Sequence, residues 1–406
     1  MKFLTQVLAL SILLVSLEAS AARLQVGAGR AFSTLHSALG SARDGDVIEV
    51  DAAIYPDQAV TVHQNNLTIR GVGGQAHLKW VNGTIGNGKG IILIQGSRVT
   101  VENLELSGAR VVDGNGSGIR VEPKSNVTVR NCYIHDNEEG LLTSNDGVSS
   151  VVIENSDFNH NGAGDGFTHN IYIGSIASFT LRYSYSHRAH IGHNVKSRAK
   201  KNFILYNRIM DEADGDASYL INIPDGGETY IIGNLLQKSP FAQNPKLVSY
   251  GEESLGKVGW ATAVYIVNNT MVNNYKPNTN FIFLRAGTST AKIMNNIFSG
   301  PGTMVASSGA GSFWTLTTNL KVAGDPGFRS LANYDYSLTS SATGAIDKGT
   351  MPGTADGFSL GPDRQYIHPL NGIPRPAIGS AIDIGAYEYG GDTTAPVVPT
   401  NLHRIN

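Results

Sequence analysis

The 406-residue chain is poor in cysteine and in charged residues. Cys132 is the single cysteine, so an intrachain disulfide framework and a zinc site of the CxxC type are both excluded. Charged residues make up 16% of the chain, against about 25% in ordinary globular domains. The net charge of −2 excludes a global basic field that would attract nucleic acid. A core can nevertheless form, because 41% of the residues are hydrophobic.

Long apolar runs are also rare, and the one clear run lies at the N-terminus. Met1-Lys2 is followed by a mainly apolar stretch at residues 3–17 and by the small residues Ala19-Ser20-Ala21. This order is typical of a secretory signal peptide, here residues 1–21, with cleavage before Ala22. A run of about 15 apolar residues is too short to span a bilayer comfortably. The prediction is a secreted or periplasmic protein without stable membrane insertion.

A short pattern of alternating apolar residues, closed most often by asparagine, recurs through the chain. It occurs at Val99–Asn103, Val127–Asn131, Val151–Asn155, Phe179–Tyr183, Phe203–Asn207, Tyr230–Asn234, Tyr265–Asn269 and Lys292–Asn296. Alternation is typical of a β-strand, and steps of 24 to 35 residues without helical periodicity indicate one coil per repeat. Such coils stack into a parallel β-solenoid with equivalent side chains about 4.8 Å apart. We expect the repeated asparagines to hydrogen-bond along the stack inside the core.

The repeat resembles the right-handed parallel β-helix proteins of the pectate lyase-like superfamily. The likeness also includes the opening stretch Phe32–Val50 followed by Ile54-Tyr55, and it runs over residues 23–390. The resemblance implies an all-β fold, a single right-handed parallel β-helix (β-solenoid). It also implies an N-terminal capping helix, which fits the amphipathic stretch 32–42. Capping is needed because an open solenoid end exposes unpaired strand edges.

The far end of the chain divides into a closing segment and a tail. The stretch from Asp325 to Tyr389 is similar to the closing segment of many such proteins and is interpreted as the C-terminal cap. The predicted β-helix domain, including both caps, covers residues 22–390. Residues 391–406 form a Pro/Thr-rich tail that looks like a linker.

One stretch of the chain, Gly166 to Met210, contains no aspartate or glutamate. Its cationic and imidazole side chains are Arg182, Arg188, Lys196, Arg198, Lys200, Lys201, Arg208, His169, His187, His190 and His193. Because coils stack, we expect these side chains to form one basic groove. Such a groove would bind an anionic polysaccharide.

Two segments within this stretch, Thr168–Gly174 and Gly192–Arg198, repeat each other at an offset of 24 residues. If Ile171 and Val195 face inward, strand alternation gives the neighbouring residues opposite directions. The outward set is then Asn170, Tyr172, Asn194, Lys196 and Arg198. His169 and His193 have inward parity, and the alternative to a substrate contact is that they stack as buried, hydrogen-bonded imidazoles that orient the site. Tyr172 and Lys196 are expected to be neighbours on adjacent coils. A second polar column is predicted from His135, Asn159, His187 and Asp211.

This surface suits β-elimination from a uronic-acid polysaccharide, and it resembles β-helix uronan lyases that depend little or not at all on metal. Elimination needs a cation for the substrate carboxylate, a base for the adjacent proton and an acid for the leaving oxygen. Lys196 is the predicted base, because neighbouring cations such as Arg198 should lower its pKa. Tyr172 is the predicted acid, and Arg198, His193 or His169 would hold the carboxylate. Further substrate contacts are predicted for Asn170, Asn194, His187, Arg188, His190 and Asp211.

Other functions remain open. A uronan C5-epimerase uses the same proton abstraction and then reprotonates the carbon. A glycoside hydrolase would take its two carboxylates from Asp211, Glu212, Asp214 and Asp216. A non-catalytic carbohydrate-binding or adhesin-like solenoid also fits a secreted chain. We predict a monomer without a required cofactor, with calcium as an alternative, and a site made of His169, His187, His190 and His193 as a further metal hypothesis.

Overall fold

The structure is a computed structural model that describes residues 21–256, 259–309 and 313–391. The predicted signal peptide and the predicted tail lie outside these residues, apart from Ala21 and Gly391. Successive coils of the chain contribute strands to three long parallel sheets, so the predicted parallel β-solenoid is confirmed. Among the described helices none has the length and apolar character needed to cross a membrane.

The strands are numbered in chain order. The first sheet has 12 strands: β1 (Arg23–Val26), β2 (Val47–Asp51), β5 (Thr68–Val72), β8 (Val99–Glu102), β11 (Val127–Arg130), β14 (Ser150–Glu154), β17 (Ser178–Arg182), β20 (Lys201–Leu205), β23 (Glu228–Ile232), β26 (Ala263–Val267), β29 (Thr290–Met294) and β32 (Trp314–Thr317). The second sheet has 10 strands: β4 (Val60–Val62), β7 (Gly90–Ile94), β10 (Ser117–Val121), β13 (Glu139–Thr143), β16 (Ile171–Ile173), β19 (His193–Ser197), β22 (Tyr219–Ile223), β25 (Lys246–Tyr250), β28 (Asn280–Leu284) and β31 (Thr303–Ser307).

The third sheet has 11 strands: β3 (Ile54–Pro56), β6 (Ala76–Lys79), β9 (Leu104–Ser107), β12 (Tyr133–His135), β15 (Asp157–Asn159), β18 (Tyr185–His187), β21 (Arg208–Met210), β24 (Leu235–Lys238), β27 (Thr270–Asn273), β30 (Ile297–Ser299) and β33 (Leu320–Val322). Three short antiparallel pairs follow the solenoid: β34 (Phe328–Ser330) with β35 (Asp335–Leu338), β36 (Thr354–Ala355) with β37 (Phe358–Ser359), and β38 (Arg364–Ile367) with β39 (Asn371–Pro374).

The predicted N-terminal capping helix is present as α1 (Leu35–Ser41), which is shorter than the stretch 32–42. Thr34 is its N-cap residue, and the Thr34 hydroxyl accepts a hydrogen bond of 3.1 Å from the Ser37 N–H. The helix buries its apolar face, including Leu35 and Leu39, against β1, β2 and β4. The first strands are thereby shielded from solvent.

The asparagine ladder forms in the second half of the solenoid. Its members are Asn207, Asn234, Asn269, Asn296 and Asn319, and the first four are fully buried. Each side-chain amide except the last donates to the Oδ1 of the next asparagine at 2.9–3.0 Å. Each of the five also donates at 2.8 Å to a strand carbonyl of the preceding coil. The buried amides are therefore satisfied by copies of themselves.

In the first half of the solenoid, the repeated asparagines lie one residue earlier in their coils than the ladder asparagines do in theirs. Asn103, Asn131 and Asn155 have positive φ angles of 54°, 53° and 48°, a conformation that asparagine tolerates well. Asn155 is only half-buried and donates to the carbonyl of Leu370 at 2.7 Å. The prediction that these three belong to the buried ladder is wrong. The pattern shifts by one residue because Phe179 pairs with Asn202 and not with Phe203.

The C-terminal segment, residues 325–391, covers more of the solenoid than its end. It contacts the last coil and also runs back along the outer faces of the first and third sheets. On the third sheet Tyr336 packs in a cluster with Met210. On the first sheet the ring of Phe358 lies 4.7 Å from that of Tyr230.

Replacement of a ladder asparagine should lower stability more than replacement of an exposed one. In Asn234→Ala the N–H and the amide of Asn207 both lose their acceptor, and each buried unsatisfied group costs about 1–3 kcal/mol. We expect a loss of about 3 kcal/mol in the free energy of unfolding, measured by denaturant titration. Asn278→Ala, at an exposed turn, is the control and should change stability by less than about 0.5 kcal/mol. Equal effects would contradict a stabilising ladder.

Candidate functional site

The outer face of the second sheet carries the candidate site, and a corner in the chain decides which residues lie there. Asn170 and Ile171 are consecutive, yet both are fully buried. The same holds for Asn194 and Val195 one coil later. Simple alternation therefore fails at the equivalent point of both coils, at the start of β16 and inside β19. His169 contacts the ring of Tyr172 on the outer side, and the inward parity predicted for His169 and His193 is wrong.

Asn170, Asn194 and Asp211 lie inside the solenoid and not on its surface. Together with Asn137 and Asn161 they form a second buried ladder. The side-chain amides donate in turn at 2.9, 2.9, 3.1 and 2.8 Å, ending on the carboxylate of Asp211. Burial raises the pKa of Asp211 to about 6. The predicted substrate contacts of these three residues are wrong, because their polar atoms are used within the core.

Tyr172, Lys196 and Arg198 come together on the outer face as the repeat predicts. Tyr172 and Lys196 are register partners on β16 and β19, and the Lys196 Nζ lies 4.7 Å from the centre of the Tyr172 ring. The Nε of Arg198 donates to the Tyr172 hydroxyl at 3.2 Å. A phenol, an amine and a guanidinium therefore share one small surface.

His169 and His193 lie beside this group as a stacked, buried pair, with ring centres 4.3 Å apart, as the alternative expectation for them had it. The Nδ1 of His169 accepts a hydrogen bond of 3.0 Å from the His193 N–H, so the proton of the neutral ring is on Nε2. Burial, together with nearby cations such as Lys196, holds the pKa of both imidazoles well below the usual range. Both rings are neutral near pH 7. They do not supply the positive charge that a substrate carboxylate needs, which corrects that expectation.

Glu139 is a residue that the sequence reasoning missed. It precedes His169 in the same outer column and is almost fully buried. Its carboxylate accepts a hydrogen bond of 2.9 Å from the His169 N–H, and burial raises its pKa well above the usual range despite this bond and nearby Lys196. The sequence repeat could have identified Glu139. Glu139-Gly140-Leu141 occupies the register positions that His169-Asn170-Ile171 occupies one coil later.

A turn at residues 251–256, after β25, brings carboxylates over the site. Glu253 forms ion pairs with Arg198 and, at 4.0 Å, with the Nζ of Lys196. Asp225 also pairs with Arg198, and Glu252 accepts a hydrogen bond from Tyr219 at 3.2 Å. The two cations of the site thus face a carboxylate supplied by a later coil.

Lys196 is a base candidate on electrostatic grounds. Its pKa is lowered chiefly by burial and further by Arg198, whereas the charge of Glu253 opposes the shift. The sequence-based expectation had the right direction. It named the neighbouring cations as the cause, and burial turns out to be the larger effect.

The predicted basic groove does not exist as such, because carboxylates of neighbouring coils pair with most of its cations. These pairs are Arg182 with Glu154, Arg188 with Glu212 and Asp214, His190 with Asp216, and Lys201 with Glu228. Arg208 is buried against Tyr185 and Tyr334. The acid-free stretch of sequence is therefore not an acid-free surface. The acids proposed for a hydrolase, Glu212, Asp214 and Asp216, are held in these same pairs.

Three of the predicted substrate contacts, His187, Arg188 and His190, lie away from Tyr172, Lys196 and Arg198, which are called the Lys196 group below. His187 is on the third sheet, where it stacks on Tyr185 at 3.9 Å and pairs with Asp157 at 3.0 Å. Met210 takes the place predicted for Asp211 in this column, again through a shift of one residue. The three residues are not assembled as substrate contacts beside Lys196, and the four-histidine metal hypothesis is wrong for the same reason.

Comparison with known proteins bears on the fold. Residues 52–236 match the family model described as "Right handed beta helix region". The crystal structure of pectate lyase Pel9A superposes with a TM-score of 0.57 at 15% identity, covering 91% of this chain and 97% of that one. The chain therefore has a right-handed parallel β-helix fold, similar to that of this pectate lyase.

Two further solved structures are similar to this β-helix protein at lower scores. The structure titled "Geobacillus virus E2 - ORF18" has a TM-score of 0.45 at 14% identity, over 70% of this chain and 56% of that one. The A-module of the Azotobacter vinelandii mannuronan C-5 epimerase AlgE6 has a TM-score of 0.34 at 14% identity, over 70% of this chain and 94% of that one. No curated protein matches the sequence significantly.

The buried histidine pair should make the β-helix protein sensitive to acid. The imidazoles are neutral when folded but take up protons below about pH 6.5 when unfolded, so stability falls as the pH drops through this range. His169→Asn keeps an acceptor for the His193 N–H and removes one titrating group. It should reduce the slope of unfolding free energy against pH by up to about 1.4 kcal/mol per pH unit between about pH 5 and 6.5.

The control for this measurement is His36→Asn, at an exposed position of α1. The raised pKa of Glu139 makes stability fall as the pH rises, opposite to the effect of the histidines. Glu139 is present in the wild type and in both variants, so its effect largely cancels when their slopes are compared. An unchanged slope in His169→Asn would contradict a neutral, buried His169.

Proposed function

We propose that this β-helix protein is a polysaccharide lyase that cleaves a uronic-acid polymer by β-elimination on the outer face of the second sheet. The observation that supports the proposal most is the contact group of Tyr172, Lys196 and Arg198 with the carboxylate of Glu253. The pectate lyase-like fold agrees with it, and pectate is one polymer of the required class.

Lys196 is assigned as the base. An amine can remove a proton only when it is uncharged, and burial favours the uncharged form of Lys196. The amine takes the proton at C5 of the uronate, the C5–H electron pair forms the C4=C5 double bond, and the bond from C4 to the glycosidic oxygen breaks. A nearby cation makes this proton more acidic by stabilising charge on the carboxylate.

Tyr172 is assigned as the acid. Its hydroxyl oxygen accepts from Arg198, so its own proton remains free to be donated to the leaving oxygen. The guanidinium of Arg198 also stabilises the phenolate that forms when this proton is lost. The base and the acid lie side by side on adjacent coils, which suits a proton and a leaving group on the same side of the sugar.

Glu253 marks the expected position of the substrate carboxylate. Its carboxylate binds Arg198 and Lys196, and a uronate carboxylate carries the same charge and planar shape. Asp225 holds Arg198 from the other side, so Arg198 keeps one partner when the substrate displaces Glu253. In this arrangement His169, His193 and Glu139 are positioning residues behind the reacting groups.

The assay is absorbance near 235 nm, where unsaturated uronates absorb, with purified protein and a panel of uronic-acid polymers, with and without calcium. A rise on one polymer would name the substrate. Lys196→Met and Tyr172→Phe should then each lose about 100-fold or more in kcat, because each removes a proton-transfer group. Lys200→Met, at an exposed position between β19 and β20, is the matched control and should retain activity.

Three other outcomes separate the remaining functions. New reducing ends without absorbance would favour hydrolysis. Exchange of the C5 proton in deuterated water without chain cleavage would favour epimerisation. Polymer binding without any of these changes would favour a carbohydrate-binding solenoid. Full activity in Lys196→Met or Tyr172→Phe would remove that residue from the mechanism.

Removal of the Glu253 charge should favour substrate binding. In Glu253→Gln the guanidinium of Arg198 keeps Asp225 but loses the charged partner that the substrate would have to displace, so KM should fall severalfold. The pKa of Lys196 should fall too, because Glu253 raises it, and the rising limb of the profile of kcat/KM against pH should move to lower pH. Glu122→Gln, at the position directly after β10, is the control. A higher KM in Glu253→Gln would show that Glu253 assists binding and does not mimic the substrate.

A further inference from the structure

A separate group of side chains lies on the outer face of the third sheet. His77, Glu105 and His135 belong to the successive strands β6, β9 and β12. His77 and Glu105 are direct register partners, and His135 lies diagonally across on the next coil. Their nearest ligand atoms all lie within 4.8 Å of one another, and the group is largely buried.

The inner atoms of this group have the spacing of metal ligands. The Oε1 of Glu105 is 3.3 Å from the Nδ1 of His77 and 3.0 Å from the Nε2 of His135. Ligand atoms about 2.0–2.2 Å from a tetrahedral ion are about 3.4 Å apart, so small shifts would suffice. The three side chains stand on neighbouring hydrogen-bonded strands, which hold their backbones rigidly.

The outer nitrogens of both histidines are already held by second partners. The Nδ1 of His135 lies 2.6 Å from the carboxylate of Asp136, so it carries a proton. The Nε2 of His77 lies 2.7 Å from the hydroxyl of Ser107. Histidines that bind metals are typically oriented in this way, with the other ring nitrogen bonded to a carboxylate or a similar group.

This orientation points one nitrogen of each ring at the same carboxylate oxygen. The Nε2 of His135 and the Nδ1 of His77 lie 3.0 and 3.3 Å from the Oε1 of Glu105, and a divalent ion would take the place of the protons that join these atoms when no ion is bound. We propose that His77, Glu105 and His135 form a binding site for a divalent transition-metal ion, with Ser107 and Asp136 as positioning residues.

The ligand types select the class of ion. Two imidazoles and one carboxylate suit Zn²⁺, with a fourth position open to solvent, whereas Ca²⁺ and Mg²⁺ prefer oxygen ligands. The site is on a different sheet from Lys196, so its occupancy is a question separate from the proposed lyase activity. Binding of one Zn²⁺ would join three successive coils.

The experiment measures metal binding directly on the full chain, freed of any purification tag and treated with a chelator. Isothermal titration with Zn²⁺ should give one equivalent per chain, and Co²⁺ should give the visible absorption bands of a tetrahedral nitrogen and oxygen site. Excess Ca²⁺ should not displace either ion. Zn²⁺ should also raise the melting temperature, because it binds only the folded site.

Variants connect the signal to these residues. Glu105→Gln, which keeps the shape of the side chain, and His135→Ala should each weaken Zn²⁺ binding by at least about 100-fold, and Asp136→Asn by about 10- to 100-fold. His36→Ala, at an exposed position of α1, is the control and should bind like the wild type. A wild type without a Zn²⁺ equivalent, or a folded Glu105→Gln with unchanged affinity, would overturn the proposal.

Discussion

Parallel hydrogen bonding between successive coils is the constraint on which the rest of the structure depends. It places each residue directly over its equivalent in the coil below, about 4.8 Å away. A buried polar side chain can then be satisfied by the equivalent side chain of the next coil. Asparagine does so, because its amide both donates and accepts. The two internal ladders, one from Asn207 to Asn319 and one from Asn137 to Asp211, follow from this rule.

The same stacking decides the electrostatics of the outer surface. Side chains that are neighbours in space are about 25 residues apart in sequence, so a basic stretch in one coil meets the acids of the next. Arg188 meets Glu212, and Arg198 meets Asp225 and Glu253. Charge on a solenoid is therefore balanced between coils. What distinguishes the Lys196 group is its burial and its neutral imidazole neighbours, and not an excess of positive charge.

The C-terminal segment and the turn at 251–256 complete the surface in different ways. The segment packs on the outer faces of the first and third sheets and buries aromatic side chains such as Tyr230 and Tyr336 there. The turn lies beside the second sheet and contributes Glu253 as a charged partner for Lys196 and Arg198. Under the proposed function, the carboxylate of an acidic polymer would replace that of Glu253, which is why the candidate substrate site is assigned to this sheet.

The sequence by itself determined the solenoid, because period-2 alternation repeated every 24 to 35 residues fits few other structures. It also determined the pairing of Tyr172 with Lys196, since a 24-residue offset makes them equivalent. The capping helix was implied by the family resemblance, and the amphipathic stretch 32–42 agreed with it. It could not determine where alternation breaks. A corner before Ile171 turned Asn170 inward and His169 outward, and a shift of one residue near Phe179 moved the ladder. The partners of the cations, the buried Glu139 and the cluster of His77, Glu105 and His135 were decided only by tertiary structure, because they depend on which distant coils lie side by side and how deeply they are buried.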